Sequence, residues 1–244
     1  MCTLAVAYGV DGRWPLVVAA NRDERLDRPS EDWAVRERPG LPRELSPRDL
    51  VGGGTWIGVN ACGVFSGITN FHVPGSGGPD PARRSRGELV SLALSARSAP
   101  EARRLVLARE AESYNPFHLL VADAGNAFLW WYDGESSEAE ALSPGLHVVT
   151  ENSPAGRCPR GEWLRRSWPL DPSLERLRDL LASHGPDPRS RTCIHGSAYG
   201  TRSSTVLRLA RSLEASELYT ASGPPCTTPF EDRSSLLTSL ARSA

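Results

Sequence analysis

The sequence predicts an α+β domain built on large antiparallel sheets, and three observations carry that reading. Apolar runs of β type come in groups joined by short turns instead of alternating one by one with helices, which argues against a βαβ repeat. After the Gly/Pro-rich stretch at 72–84 the hydrophobic period changes from two to about 3.6, and helical signals then follow one another. No solenoid-like repeat and no break in composition divides the chain. Residues 1–222 are therefore expected as a single domain, with 223–244 as a peripheral or partly disordered tail.

The elements follow in order. "TLAVAY" (3–8) and "PLVVAA" (15–20), linked by "GVDGRW", read as a β-hairpin. An irregular Arg/Pro stretch runs from Arg28 to Leu50, and "GGGTWIGVN" (52–60) with "GVFSGITNF" (63–71) forms a second pair around Asn60 to Gly63. Ser85 and Glu88 have capping-box spacing, and Leu89, Leu92, Ala93 and Ala96 share one helical face. Pro100 and Glu101 open a second helix carrying Ala102, Leu105 and Val106. Strand signals return in "FHLLVAD" (117–123), "AFLWWYD" (127–133) and "LHVVT" (146–150). "PSLERLRDLLASHG" (172–185) is a helix with Ser173 as cap and Gly185 as stop, and "SSTVLRLA" (203–210) pairs with "SELYTA" (216–221).

Composition excludes several function classes. With 28 basic against 29 acidic residues the net charge is -1, so no global field attracts nucleic acid or an anionic membrane. Every cation is arginine, which rules out Schiff-base and P-loop lysine chemistry. Cys2, Cys62, Cys158, Cys193 and Cys226 are scattered, odd in number and free of C-x-x-C pairs, so neither a disulfide framework nor a zinc site is expected. No apolar run is long enough for a membrane span, and the apolar start lacks a basic n-region, so a cytoplasmic protein is expected.

Cys2 is the first candidate for chemistry. A lone cysteine in an apolar strand is ordinarily a small buried hydrophobe. Its position changes that, because trimming of Met1 leaves a thiol and a free α-amino group on one residue. An α-amino group with a reference pKa of about 7.7–8.0 can serve as general base to a thiol near 8.5. A low-pKa Cys2 thiol would then be alkylated faster than the other cysteines. "AANRDE" places Asn21, Arg22, Asp23 and Glu24 at the end of the second strand, beside Cys2 if the hairpin forms; the alternative is a solvated charged turn. Asn70, closing an apolar strand, is either a turn former or an amide donor to an oxyanion.

"MC" at the start, "LVVAANRDE" followed by "RPS", "GGGTWIGVN" with "GVFSGITNF", "RGELV" and "YGTRSSTVL" recur in register from Cys2 to Leu209. Together they resemble the NRDE family, also called the transport and Golgi organization protein 2 family. That family is similar to the N-terminal nucleophile (Ntn) hydrolases, so the resemblance implies an Ntn-hydrolase-like four-layer αββα sandwich with two antiparallel sheets. The wider group includes cysteine amidases such as bile-salt hydrolases and penicillin V acylases. By motif, Cys2 matches their nucleophile, Asp23 the carboxylate that holds its amine, Arg22 a neighbouring cation and Asn70 an oxyanion amide. "HVVTENSP" resembles their second asparagine segment, but Glu151 stands where the asparagine is expected and Asn152 one place later. Arg202 in "YGTRSST" belongs to the NRDE pattern; its partner is a substrate carboxylate or phosphate, or a structural ion pair.

The resemblance implies a cysteine hydrolase or acyltransferase acting on a carbon–nitrogen amide bond, with Cys2, Asp23, Asn70 and Asn152 as catalytic residues and no metal or other cofactor. Family members have been linked to secretory organisation, acyl-CoA metabolism and haem movement, so a non-catalytic binding or trafficking protein for haem or acyl-CoA is the alternative. His72, His118, His147, His184 and His195 are the available axial ligands, without a C-x-x-C-H motif. "GGG" at Gly52–Gly54 reads as a tight turn, "WWY" at Trp130–Tyr132 as strand packing, and "ARRSRG" as an anion site or a solvated helix approach.

Overall fold

Two antiparallel sheets stack face to face with helices outside both, in a computed structural model described for residues 2–73, 75, 78–152 and 156–242. One sheet orders β10 (Gly145–Thr150), β1 (Thr3–Tyr8), β2 (Leu16–Arg25), β11 (Tyr199–Leu209), β12 (Glu217–Ala221) and β13 (Glu231–Asp232). The other orders β3 (Ser30–Arg36), β4 (Glu44–Asp49), β5 (Ile57–Asn60), β6 (Phe65–Asn70), β7 (Phe117–Ala122), β8 (Ala127–Tyr132) and β9 (Ser137–Ala141). Helices α1 (Gly87–Ala93) and α2 (Ala99–Leu107) cover the second sheet, while α3 (Pro159–Ser167) and α4 (Leu174–Ala182) cover the first. This is the αββα sandwich that the resemblance implies.

Three apolar layers follow from alternation along the strands. In β1, Leu4, Val6 and Tyr8 enter the core between the sheets with Val18, Val59, Phe65 and Leu120. Ala5 and Ala7 face the other way, toward Leu164 and Leu180 or Leu177 and Leu181 of α3 and α4. Both faces are covered, so all six β1 residues are buried and "TLAVAY" shows no polar alternation. Leu89, Val90, Ala102 and Val106 close the third layer against Leu119, Val121 and Trp130.

Local chemistry explains the element ends. Ser98 Oγ accepts from Glu101 N and caps α2, and Ser173 does the same from Arg176 N for α4. The expected Ser85/Glu88 box does not form: α1 starts after Arg86 with no side-chain cap. At the same helix start a Cβ on Gly54 would lie 2.5 Å from the carbonyl carbon of Gly87. The "GGG" turn and the start of α1 touch backbone to backbone, and only glycine permits that approach.

The stretch from Arg28 to Leu50, expected to be irregular, contains β3 and β4. Beyond Gly223 the chain forms β13 and α5 (Ser234–Ala241), where a peripheral or partly disordered tail is expected from sequence. Leu237 and Leu240 of α5 are fully buried in the core between the sheets. They close its edge beside β3, β4 and β12. No helix of the described residues is long and apolar enough to cross a membrane.

Candidate active site

Strand register fixes the neighbours of Cys2. Thr3 opposes Asn21 on β2 and Thr150 on β10, so Cys2 stands at the sheet end between the Arg22–Asp23 pair and Glu151. Its backbone N–H donates to the Glu151 carboxylate. Its Sγ lies 3.7 Å from the Asp23 carbonyl oxygen, which also accepts from Tyr199 Oη at 2.7 Å. Met1 lies outside the described residues, and its trimming has no structural readout here.

Two buried carboxylates face this strand end. Asp23 is 1% exposed, and Thr201 Oγ1 donates to its Oδ1 at 2.5 Å. Burial pushes the Asp23 pKa up to about 6, against the pull of the N-terminal charge, the Thr201 hydrogen bond and the Arg160 charge. Burial likewise pushes Glu151 up to about 7, with Arg160 and an Asn152 hydrogen bond opposing. Arg160 comes from the first turn of α3 and is anchored by Nε donating to the Arg191 carbonyl at 2.5 Å. Carboxylates raised in this way are stabilised by any further positive charge placed between them.

A bulge shapes the same corner. The β2–β11 register shifts between Thr201 and Ser203, which pair with Asp23 and Arg22. Tyr199 and Thr201 both reach Asp23, and Arg202 is the extra residue.

Arg22 occupies the other face of β2. Its guanidinium stacks 4.2 Å over the Trp56 ring, and Nη2 lies 3.4 Å from Asp49 Oδ2. Cys2, Arg22, Trp56 and Thr69 line a small cavity of about 20 Å³, room for roughly one water. Burial, helped by the Asp23 charge, raises the Cys2 thiol above its ordinary pKa, while the N-terminal charge and Arg22 pull the other way. That direction, for a sulfur lying between the sheets, is opposite to the low-pKa thiol expected once Met1 is trimmed.

A larger cleft of about 610 Å³ opens beside this corner, lined by Asn70, His72, Arg86, Glu151, Asn152 and Tyr199 among others. Asn70 sits exposed at the end of β6, and Asn152 donates from Nδ2 to Glu151 Oε1 at 3.3 Å. Glu151 connects the two spaces, since it lines the cleft and accepts from the Cys2 nitrogen. The cleft thus brings together Asn70 and Asn152, with Cys2, Arg22 and Asp23 clustered behind Glu151.

Arg202 is not among the cleft-lining residues, and its Nε is buried without a hydrogen-bond partner. The guanidiniums on the cleft are Arg83 and Arg86, both from the "ARRSRG" stretch, and Arg86 is held by Nη1 donating to the Pro116 carbonyl at 2.9 Å. Burial lowers its pKa to about 10, and the nearby Cys2 and Glu24 charges oppose that. Asn21 is structural: it donates to the carbonyls of Leu181 and Thr192 and accepts from Ser204, tying β2 to α4. Sequence reading named "ARRSRG" as an anion site or a solvated helix approach without placing Arg86 at the site, and missed Arg160, Tyr199 and Thr201. For the last two the available signal was their shared spacing within "YGTRSST".

The histidines have separate settings. His118 is fully buried, shares a 3.1 Å hydrogen bond with Thr69 Oγ1 and is pushed down to about 3 by burial, so it is a neutral core residue. His147 Nε2 meets the Ser143 carbonyl, and His184 and His195 lie beside two cysteines away from the cleft.

Solved structures share the fold. A penicillin V acylase from Agrobacterium tumefaciens is similar over 100% of this chain and 89% of its own, with TM-score 0.55 and 15% identity. A conjugated bile acid hydrolase from Clostridium perfringens is similar over 96% and 93%, with TM-score 0.55 and 12% identity. A Caenorhabditis elegans N-acylethanolamine-hydrolyzing acid amidase ortholog matches over 85% and 92%, with TM-score 0.56 and 14% identity. Identities this low carry the Ntn-hydrolase fold and no more.

A family model gives the family, and sequence relatives agree with it. The Homo sapiens Transport and Golgi organization protein 2 homolog is 27% identical over 230 residues, covering 79% of this chain and 81% of its own. The Mus musculus Transport and Golgi organization 2 homolog is 25% identical over 228 residues, with the same coverage. The family model described as Transport and Golgi organisation 2 matches residues 1–170. With that match spanning most of the sandwich and every residue of the corner except those of β11 and Arg160's partner loop, the chain belongs to the Transport and Golgi organisation 2 family.

Proposed function

We propose that the protein is a cysteine Ntn hydrolase acting on a carbon–nitrogen amide bond, with Cys2 as nucleophile once Met1 is removed. The observation that carries this reading is the pair of buried, raised carboxylates, Asp23 and Glu151, at the Cys2 nitrogen. In this reading a free α-amino group on Cys2 sits between the two acids, which accept from it and hold it in place. The similar folds include enzymes named as a penicillin V acylase and an N-acylethanolamine-hydrolyzing amidase, both of which act on amides.

In this mechanism the neutral α-amine of Cys2 takes the thiol proton as sulfur attacks the substrate carbonyl. A C–S bond forms and the carbonyl π pair moves onto oxygen. Asn70 and Asn152 are the proposed amide donors to that oxyanion, each worth about 2.7–4 kcal/mol in such a role. The ammonium then gives its proton to the leaving nitrogen as the C–N bond breaks. Water, deprotonated by the same amine, releases the acid and regenerates the thiol. Because burial keeps the resting thiol neutral, the reaction depends on this internal base and not on a preformed thiolate.

Turnover of a panel of N-acyl amides of varied acyl length tests the reading. Hydrolysis by the wild type that is lost in Cys2→Ala supports it. Tight haem or acyl-CoA binding that survives Cys2→Ala, with no product from the panel, would establish the carrier instead.

A further inference from the structure

Three side chains from residues 184–195 meet a fourth, from residue 226, on the α4 side of the first sheet. His184 follows α4, Cys193 and His195 lie on the loop leading into β11, and Cys226 comes from the loop between β12 and β13. One ligand atom from each lies within 4.8 Å of all the others. Cys193 Sγ is 3.6 Å from Cys226 Sγ and 3.5 Å from His195 Nε2, and His195 Nε2 is 3.1 Å from Cys226 Sγ. The His184 and His195 rings are tilted against each other, with centroids 5.3 Å apart.

We propose that His184, Cys193, His195 and Cys226 form a structural zinc site that pins the β12–β13 loop to the body of the domain. The donor set is two thiols and two imidazoles, the combination that structural zinc takes in a closed tetrahedron. Ligand atoms at about 2.0–2.3 Å from zinc stand roughly 3.3–3.8 Å from one another, close to the 3.1–3.6 Å among Cys193, His195 and Cys226, with His184 within 4.8 Å. All four ligand positions are filled by protein, which suits a structural and not a catalytic ion.

The surroundings hold the ligands in place. The Cys193 backbone N–H donates to the Ser183 carbonyl at 3.0 Å, and Thr192 Oγ1 donates to the carbonyls of Leu180 and Ser183 at 2.6 and 2.9 Å. Asn21 reaches across from β2 to the Thr192 carbonyl at 2.8 Å. By contrast, the turn around Cys226 is closed by bonds within itself, from Thr227 N and Thr228 N to the Pro224 carbonyl. Cys226 reaches across from that turn to the rigid side, and a shared metal ion turns that contact into a cross-link. Binding replaces two S–H bonds by two S–Zn bonds and releases two protons to solvent, with no change of oxidation state. This site adjoins the Cys2 corner through Thr201, which accepts from Ile194 N–H and donates to Asp23, but it does not rest on the amidase reading.

The test is metal analysis of the full-length, untagged protein purified without chelator. The expected result is about one zinc per folded chain, as for a four-ligand structural site. Cys226→Ser and His184→Asn, at the more exposed positions, should bind less than about a fifth of that while keeping the wild-type circular dichroism spectrum. The buried Cys193 is avoided, since its variant can fail to fold. Cobalt added to the apoprotein should give the intense visible bands and near-ultraviolet thiolate charge-transfer band of a tetrahedral thiolate site. Zinc should also shield two thiols from a thiol reagent until chelator is added. Folded, reduced wild-type protein that takes up neither zinc nor cobalt overturns the proposal. So does a Cys193–Cys226 disulfide that persists with no metal after reduction and reloading, or iron in place of zinc at the same stoichiometry.

Discussion

The backbone nitrogen of Cys2 donates to the carboxylate of Glu151, and burial holds that carboxyl near pKa 7. On the other side of the same strand end, Asp23 is held near 6. Both values exceed the unfolded references of about 3.9 for Asp and 4.3 for Glu. The folded state therefore keeps protons that the unfolded state has already released, and stability falls as pH rises between about 4 and 7. Thermal unfolding across that range should show Tm declining toward neutrality and levelling above it. Asp23→Asn and Glu151→Gln should each flatten the slope. A Tm that rises from pH 4 to 7 by their contribution would contradict the burial argument.

Replacing the nucleophile separates chemistry from folding. Cys2 packs around a cavity of about 20 Å³, so Cys2→Ala should cost no more than about 1 kcal/mol in urea unfolding. Its hydrolysis rate should fall by at least about a thousandfold, in line with loss of a covalent nucleophile. A variant that unfolds, or one that keeps its rate, would point to a packing role for the thiol.

Thr201 is argued to act through Asp23. Thr201→Val removes the donor to Asp23 Oδ1 and the acceptor for Ile194 N–H. Stability should drop by about 1–2 kcal/mol, and the acid limb of the rate profile should move to higher pH as the Asp23 pKa rises further. Thr201→Ser should restore both. Loss of stability with no movement of the acid limb would leave Thr201 with a structural role alone.

The last helix is predicted to belong to the core. Leu237→Ala, at a fully buried position of α5, should cost about 2–5 kcal/mol in urea unfolding. Deleting 223–244 should expose the core beside β3 and β4 and prevent cooperative folding. A truncated chain as stable as the full one would restore the reading of a peripheral tail.

What the sequence made legible follows the chemistry of each element. The β1–β2 hairpin and β7–β8 are uninterrupted apolar runs, and α2 and α4 carry serine caps, so period and capping suffice for them. β4 contains "SPRD", β9 is the exposed edge "SEAEA", and α3 reads "PRGEWLRRS"; their polar residues are tolerated because of where the elements lie, which a local window does not contain. In the site, motif and hairpin register were enough to put Arg22 and Asp23 beside Cys2. Glu151 and Arg160 arrive from β10 and α3, and Thr201 through a bulge, so their convergence is tertiary. The His184, Cys193, His195 and Cys226 cluster was hidden for the same reason: its members are joined by folding and not by spacing.

The central claim rests on one peptide. Mass spectrometry of the N-terminal peptide, after the purified protein is mixed with an activated acyl donor and quenched, reads both processing and reactivity at Cys2. The account predicts a peptide that begins at Cys2 and carries one acyl group on its sulfur, absent from the donor-free control. A peptide that retains Met1 in protein that turns over amides, or a processed Cys2 that stays unacylated while substrate is consumed, would contradict it.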